Sequence, residues 1–179
     1  MTIAGNIPGT PPGQAELAAL FADMAPGLGL SRPAGSCFAA IWRAAQAPCA
    51  DDLVRDLGIS RSNVSTALKE LRQWGLVQIA RTPGDRREFF VAPADPWALV
   101  RQIIAERQRR EVASALDRLY MIDTLGQDPR ISGLCEVIEA VSGWMSGLSR
   151  LDSAELAHRM SEEAPDGDEG KKKKKKKKA

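Results

Sequence analysis

The sequence predicts a mostly helical α+β fold, a train of amphipathic helices interrupted once by a short β-hairpin. Three observations carry this. Apolar residues recur at three- and four-residue steps along most of the chain, as in helices with one buried face. The period drops to two over one stretch only: Val77 and Ile79 alternate with Gln78 and Ala80, Pro83-Gly84-Asp85 makes a turn, and Phe89, Phe90 and Val91 return. Near the end, Ile131, Leu134, Ile138, Val141, Met145 and Leu148 form a heptad seam that wants a facing helix.

Composition bounds the function. The 179 residues suggest one domain, or a small domain with an extension. An apolar share of 44% supports a real core. The formal charge of +2 hides an asymmetry: eight of the 25 basic residues form the run Lys171 to Lys178, and the other 17 face 23 acidic residues, leaving the body near −6. No apolar run approaches the ~18–20 residues of a membrane span. Met1 to Gly13 carries no basic residue and lacks the apolar core of a signal peptide. A soluble, cytoplasmic protein is therefore expected.

Enzyme chemistry finds little support. There is one histidine, His158, and the three cysteines, Cys37, Cys49 and Cys135, have no metal-ligand spacing. Phosphate-binding, nucleophile-elbow and zinc-protease motifs are missing; Gly27 and Gly29 begin a G-x-G, but Arg32 stands where the third glycine belongs. No metal, cofactor or catalytic residue is expected.

The elements follow in order. Residues 1–13 read as a flexible arm. Gln14 to Met24 forms a helix on Leu17, Leu20, Phe21 and Met24, ended by Pro26, Gly27 and Gly29. Ser31 caps a second helix to about Gln46, with Phe38, Ile41, Trp42 and Ala45 on one face. After Pro48 a short helix, Ala50 to Leu57, turns Leu53, Val54 and Leu57 inward. Gly58 permits a sharp turn, Ser60 caps the next helix, and Ile59 with Val64 makes a hydrophobic staple. That helix runs from Arg61 to about Trp74 on Val64, Ala67, Leu68, Leu71 and Trp74, and Gly75 closes it. Strands over 76–82 and 87–92 follow. Asp95-Pro96 then starts a long helix to about Asp123, and after Gly126 and Pro129 a last helix spans 130–150. Residues 151–179, acidic and then polylysine, read as a disordered tail.

Short helix, glycine turn, longer helix and two-stranded hairpin is the order of a winged helix-turn-helix, here over residues 31–93. Residues 14–30 and 94–150 add helices at either end of it. A helix packed on its 64/68/71 side turns Arg61, Ser62, Ser65, Thr66, Lys69 and Arg72 to solvent. Small hydroxyls permit close approach to base edges, and the cations reach guanines or phosphates. The helix start at Ser60 offers free N–H groups to a phosphate. Arg86 and Arg87 sit at the hairpin tip, where a wing enters a minor groove. From Ser31 to Ala92 nine basic residues face six acidic ones, a modest positive excess on an acidic body. Asn63 either reads DNA or satisfies an N–H at the helix start, and Lys69 and Arg72 either read bases or only hold the duplex backbone.

The stretch from Asp51 to Val77, with its Ser62-Asn-Val-Ser-Thr66 and Trp74-Gly-Leu-Val77 blocks, resembles the DNA-binding core of GbsR-type regulators, a branch of the MarR-like winged helix-turn-helix transcription factors. The wing Pro83-Gly-Asp-Arg-Arg87, the Asp95-Pro-Trp97 helix start and the arginine-rich run Glu106 to Glu111 add to the likeness, which covers roughly residues 15–150. It implies a homodimeric repressor or activator on a pseudo-palindromic operator of double-stranded DNA, with 14–30 and 94–150 as N- and C-terminal dimerisation helices and a small effector of unknown identity tuning its affinity. Cys49 departs from the pattern, standing where the family tends to place a Thr or Ser cap; Ser36-Cys37 replaces the more usual Gly-Arg, and the polylysine run is not a family feature.

Dimerisation is assigned to Leu17 and Phe21 with the seam Ile131, Leu134, Ile138, Val141, Met145 and Leu148; the competing reading packs that seam on the chain's own 97–122 helix. Arg107, Arg109, Arg110 and Glu111 read as a solvated or inter-helix charge network. Trp42, Trp97, Tyr120 and Trp144 suit either core packing, which is preferred, or an aromatic cage for a quaternary ammonium effector. The cysteines read as buried apolar groups rather than a redox switch. The lysine run either raises non-specific affinity for nucleic acid or is an added tail without a role. The leading function is thus sequence-specific transcriptional regulation; the rivals are a winged protein-docking module and a non-specific architectural DNA binder.

Overall fold

The computed structural model describes residues 13–122 and 128–162. The arm before Gly13, the expected helix end at Asp123, the Gly126 break, and the chain from 163 through the lysine run lie outside the described residues. The fold is mostly helical with one two-stranded antiparallel sheet, in the order of a winged helix-turn-helix. No helix among the described residues is long and apolar enough to cross a membrane.

Helix α1 (Gln14–Met24) runs into a 3₁₀ turn, Ala25–Leu28, that Gly29 ends in the left-handed region. Helix α2 (Arg32–Arg43) is the centre of the molecule: Ala34, Gly35 and every residue from Cys37 to Ile41 are buried, so it is covered nearly all round. It is capped by Ser31, whose Oγ accepts the Ala34 N–H at 3.3 Å. It stops at Arg43, three residues before the expected end, and Ala45 is exposed beyond it rather than on its inner face. Gly35 lets α1 and α2 touch: a Cβ there would stand 2.3 Å from the Phe21 carbonyl oxygen. Across the same contact the Phe21 ring packs on Phe38 and Trp42, with centroids 5.6 and 6.5 Å apart.

Helices α3 (Ala50–Leu57) and α4 (Arg61–Gln73) follow the expected bounds closely. Between them Gly58 has φ 64°, the left-handed conformation that lets the chain turn sharply. Cys49 does not leave the α3 start uncapped. The Asp52 carboxylate reaches back to accept the Cys49 N–H at 3.0 Å, and this bond is the main reason its acidity is strengthened. Strands β1 (Gln78–Ala80) and β2 (Phe89–Val91) are shorter than the alternation suggests and pair Gln78 with Val91, Ile79 with Phe90 and Ala80 with Phe89. So small a ribbon needs docking to persist. It is docked where Cys49 bridges to Phe89 and the Phe90 N–H donates to the Pro48 carbonyl at 2.9 Å.

The C-terminal half differs from expectation in two places. The long helix is a rod of α5 (Pro96–Arg107) and α6 (Ala113–Ile122) joined through a single π turn, Gln108–Val112, which apolar periodicity does not reveal. After α7 (Pro129–Arg150), residues 153–162 are not disordered: they form helix α8 (Ser153–Glu162). Its Leu156 is fully buried as α8 packs on α5, and the Ser153 hydroxyl bonds Asp95, the α5 cap. Acidic composition outweighs one buried leucine when read along the chain, but a leucine at the right place on a waiting apolar surface is enough to anchor a short helix.

Cys37, Cys49 and Cys135 are all free and buried, and burial pushes the Cys37 thiol up to about 12, leaving it unreactive. Gly35→Ala is expected to force α1 off α2 and to cost about 1–3 kcal/mol, as overpacking of a filled core does, measured by urea unfolding.

Candidate nucleic-acid interface

Helix α4 is built to bury one side and offer the other. Val64, Ala67 and Leu71 have no exposed surface, and Leu68 retains 5%. The opposite face, Arg61, Ser62, Asn63, Ser65, Thr66, Lys69 and Arg72, is exposed throughout. Ser60 caps the helix: its Oγ accepts the Asn63 N–H at 3.2 Å and lies 2.9 Å from the Ser62 Oγ. The Asn63 backbone therefore takes the capping bond while its side chain stays exposed. An open groove of about 680 Å³ runs between α4 and the hairpin, lined by Arg61, Ser65, Lys69 and Arg72 on one side and by Glu88 and Phe90 on the other.

The cations along this surface fall into two groups. Arg61 is paired with Asp51 of α3, and Arg87 with Asp85 in the hairpin turn. The second pair is a fork: Arg87 Nε and Nη2 donate to the Asp85 carboxylate at 3.1 and 2.6 Å, its backbone N–H adds a third bond at 2.9 Å, and its guanidinium lies 5.2 Å from the Phe89 ring centre. These bonds hold the Asp85 carboxyl at about 2, well below the usual carboxylate range. Lys69, Arg72 and Arg86 are exposed and have no protein partner among the described residues. The wing arginines, treated alike in the sequence, are thus different: Arg86 is free at the tip and Arg87 is folded back. Composition could not separate them; an aspartate directly after the turn glycine and two residues before an arginine is the signal that could have.

The far end of α4 is held by other elements. Glu70 accepts from the Ser31 N–H at 2.8 Å and the Ser31 hydroxyl at 2.5 Å. Gln102 of α5 donates to the Trp74 carbonyl at 2.9 Å, and Arg110 of the π turn donates to the Gln73 carbonyl at 3.2 Å. The arginine-rich run is therefore an inter-helix network with a specific target.

With this geometry in place, the chain can be compared with known proteins. Residues 28–88 match the model of the MarR family. The matched segment begins in the 3₁₀ turn and ends in the hairpin, so it contains the whole of α2, α3 and α4. A solved crystal structure of a transcriptional regulator superposes with a TM-score of 0.64 at 21% identity, over 84% of this chain and 99% of that one. Identity that low speaks for the fold alone, and it does so beyond the winged domain, through the C-terminal helices. No curated protein matches.

Phe21 is half-buried against the chain's own core cluster, and Leu17 is half-buried as well. On α7 the seam divides. Leu148 is buried within the chain, Ile131, Ile138 and Met145 are half-buried as α7 packs on α5 and α6, and Leu134 and Val141 remain exposed. Val137 and Trp144, which the seam omits, join them at 59% and 54% exposure. Trp42, Trp97, Tyr120 and Trp144 are not in the walls of the main cavities among the described residues. A cavity of about 300 Å³ lies instead between α1, α2 and α5, with wholly apolar walls that include Leu28, Phe38, Leu99, Val100 and Ile103.

Because the Asp85 carboxyl is held low, its pairing with Arg87 is complete above the ordinary carboxylate range and is lost only as pH falls toward 2. A carboxyl-carbon NMR titration is expected to place Asp85 near that value, and Arg87→Ala is expected to return it toward an ordinary aspartate.

Proposed function

We propose that the protein is a sequence-specific DNA-binding transcriptional regulator of the GbsR-type branch, working in the cytoplasm as a homodimeric repressor. The observation that carries the reading is the exposed face of α4, where four hydroxyl or amide side chains and unpaired cations stand together beside a docked wing. The MarR-family match over that same segment and the regulator with the same fold support it. In this reading α4 enters the major groove with Ser62, Asn63, Ser65 and Thr66 nearest the bases. Lys69 and Arg72 hold the backbone, and Arg86 takes the wing to the minor groove or the adjacent phosphates. Arg61 and Arg87 shape the two ends of the surface and reach the duplex only by releasing or sharing their aspartates. Ser60 serves as the cap and touches DNA chiefly through its helix start.

The homodimer uses the surface left bare on the C-terminal helices: Leu134, Val137, Val141 and Trp144 of α7 with Met121 and Ile122 of α6. Leu20 and Met24, both exposed, replace Phe21 as the contribution of α1. The effector, in turn, is a small apolar molecule rather than a quaternary ammonium ion, since the cavity beside α5 offers no polar lining and sits where the winged domain meets the C-terminal helices.

Selection of bound fragments from sheared genomic DNA, followed by anisotropy on the winner and a scrambled copy, tests the central reading. A palindromic winner bound at least ~10³-fold tighter than the scramble is expected. Thr66→Ala is expected to cost about 1–3 kcal/mol on the winner only, whereas Lys69→Ala lowers affinity for both and flattens the salt dependence. Equal, salt-sensitive binding to every sequence would make it an architectural binder. Failure to bind any duplex, in a protein that still associates, would turn it into a protein-docking module. For the cavity, benzene is expected to raise the Tm of the wild-type protein and to leave Val100→Phe unchanged.

A further inference from the structure

We infer that Arg110, held by Glu106 and aided by Gln102, is a positioning residue that fixes the aim of helix α4 relative to the α5–α6 rod. The C-terminal end of a helix leaves its last carbonyls without partners. At the end of α4 two of these, on Gln73 and the cap residue Trp74, are taken by side chains of the α5–α6 rod: Arg110 Nη2 of the π turn donates to the first at 3.2 Å and Gln102 Nε2 of α5 to the second at 2.9 Å. Arg110 also lies over the Trp74 indole, 5.1 Å from its ring centre, so its cation meets both the negative end of the α4 dipole and an aromatic face.

Arg110 is itself constrained. Its Nε donates at 3.2 Å to Glu106, the one buried charged residue among the described residues, with 7% of its surface exposed. Arg109 grips the same carboxylate oxygen at 3.0 and 2.7 Å. Both arginines lie in the π turn, and the extra residue of such a turn alters which face they present. The rod is tied a second time, to the 3₁₀ turn that leads into α2: Arg107 donates to the Gly27 carbonyl at 3.3 Å and pairs with Glu111 at 2.7 Å. Gly75 leaves room for this arrangement, since a Cβ there would meet the Gln102 amide at 2.7 Å. A recognition helix pinned at its C-terminal end by the rod has its direction set by the rod, while its N-terminal end and exposed face are left for another molecule.

As far as DNA is concerned the inference rests on the reading above, so its test has one arm without DNA. Wild-type full-length protein, Arg110→Ala, Arg110→Lys and Glu106→Gln would be compared by hydrogen exchange over residues 69–77 and by affinity for the selected operator, for copies with the half-sites moved one or two base pairs apart, and for a single half-site. Loss of one charge-assisted hydrogen bond is expected to speed exchange over 69–77 about tenfold in Arg110→Ala, with Arg110→Lys in between. On DNA, Arg110→Ala is expected to lose about tenfold on the native spacing, and less than about threefold on the half-site, so that the preference for one spacing flattens. Unchanged exchange in Arg110→Ala overturns the inference whatever the DNA result. Faster exchange with an intact spacing profile also overturns it, because the bonds would then stabilise without aiming. If wild-type protein selects no DNA, the functional reading falls and the exchange arm alone decides whether α4 is held in this way. Glu106→Gln keeps the shape of the hub, so a fold that tolerates it but loses exchange protection supports the inference even if Arg110→Ala fails to fold.

Discussion

The one-sided burial of α4 is the constraint on which the rest of the molecule depends. Val64, Ala67, Leu68 and Leu71 share one side of the helix and join the core cluster around α2, so the helix cannot roll without exposing a filled apolar stripe. Burial of Val64, Leu68 and Leu71 is worth about 1.5–3 kcal/mol each, which makes the orientation far more certain than any single surface contact would. Once that side is fixed, the 3.6-residue repeat decides the other: the hydroxyls and cations at 61, 62, 65, 66, 69 and 72 must point to solvent. Helix α2 is covered nearly all round because it is the platform for this packing, and the glycine at 35 exists so that α1 can close its remaining face.

Electrostatics refines that surface without holding the fold together. The Arg61–Asp51 and Arg87–Asp85 pairs are exposed, and exposed pairs contribute little to stability. Their effect is geometric. They fix cations at the start of the helix and at the base of the wing tip, while Lys69, Arg72 and Arg86 remain extended between and beyond them. A polyanion meeting this face would encounter the unpaired cations first, and the two aspartates would oppose its approach at either end, so the charge pattern sets register as much as attraction.

The winged domain and the C-terminal helices are joined through few but specific contacts. The α5–α6 rod touches the end of α4 through Gln102 and Arg110, borders the apolar cavity through Leu99, Val100 and Ile103, and carries α7, whose outer stripe is bare. A molecule lodged in the cavity acts on the DNA-binding surface only if it favours one position of the rod over another. On the proposed reading the same rod therefore links effector, dimer and recognition helix, and α8, packed on α5, stiffens it from the far side.

Much of this was legible in the residues themselves. The bounds of α1, α3 and α4, the Ser60 cap, the Gly58 turn and the exposed face of α4 follow from local rules, because capping and helical periodicity act within a few residues along the chain. What the tertiary structure decided involves partners distant in sequence. Pro48 and Cys49 dock the hairpin, and Asp51 restrains Arg61 from the neighbouring helix. Leu156 finds α5 and turns an acidic tail segment into α8. The π turn breaks the rod between residues whose pattern reads as one helix, and it delivers Arg110 to a carbonyl 37 positions earlier. Periodicity records which side of a helix is apolar; which neighbour meets it, and which of several like charges is held or left free, depends on chain segments that come together only on folding.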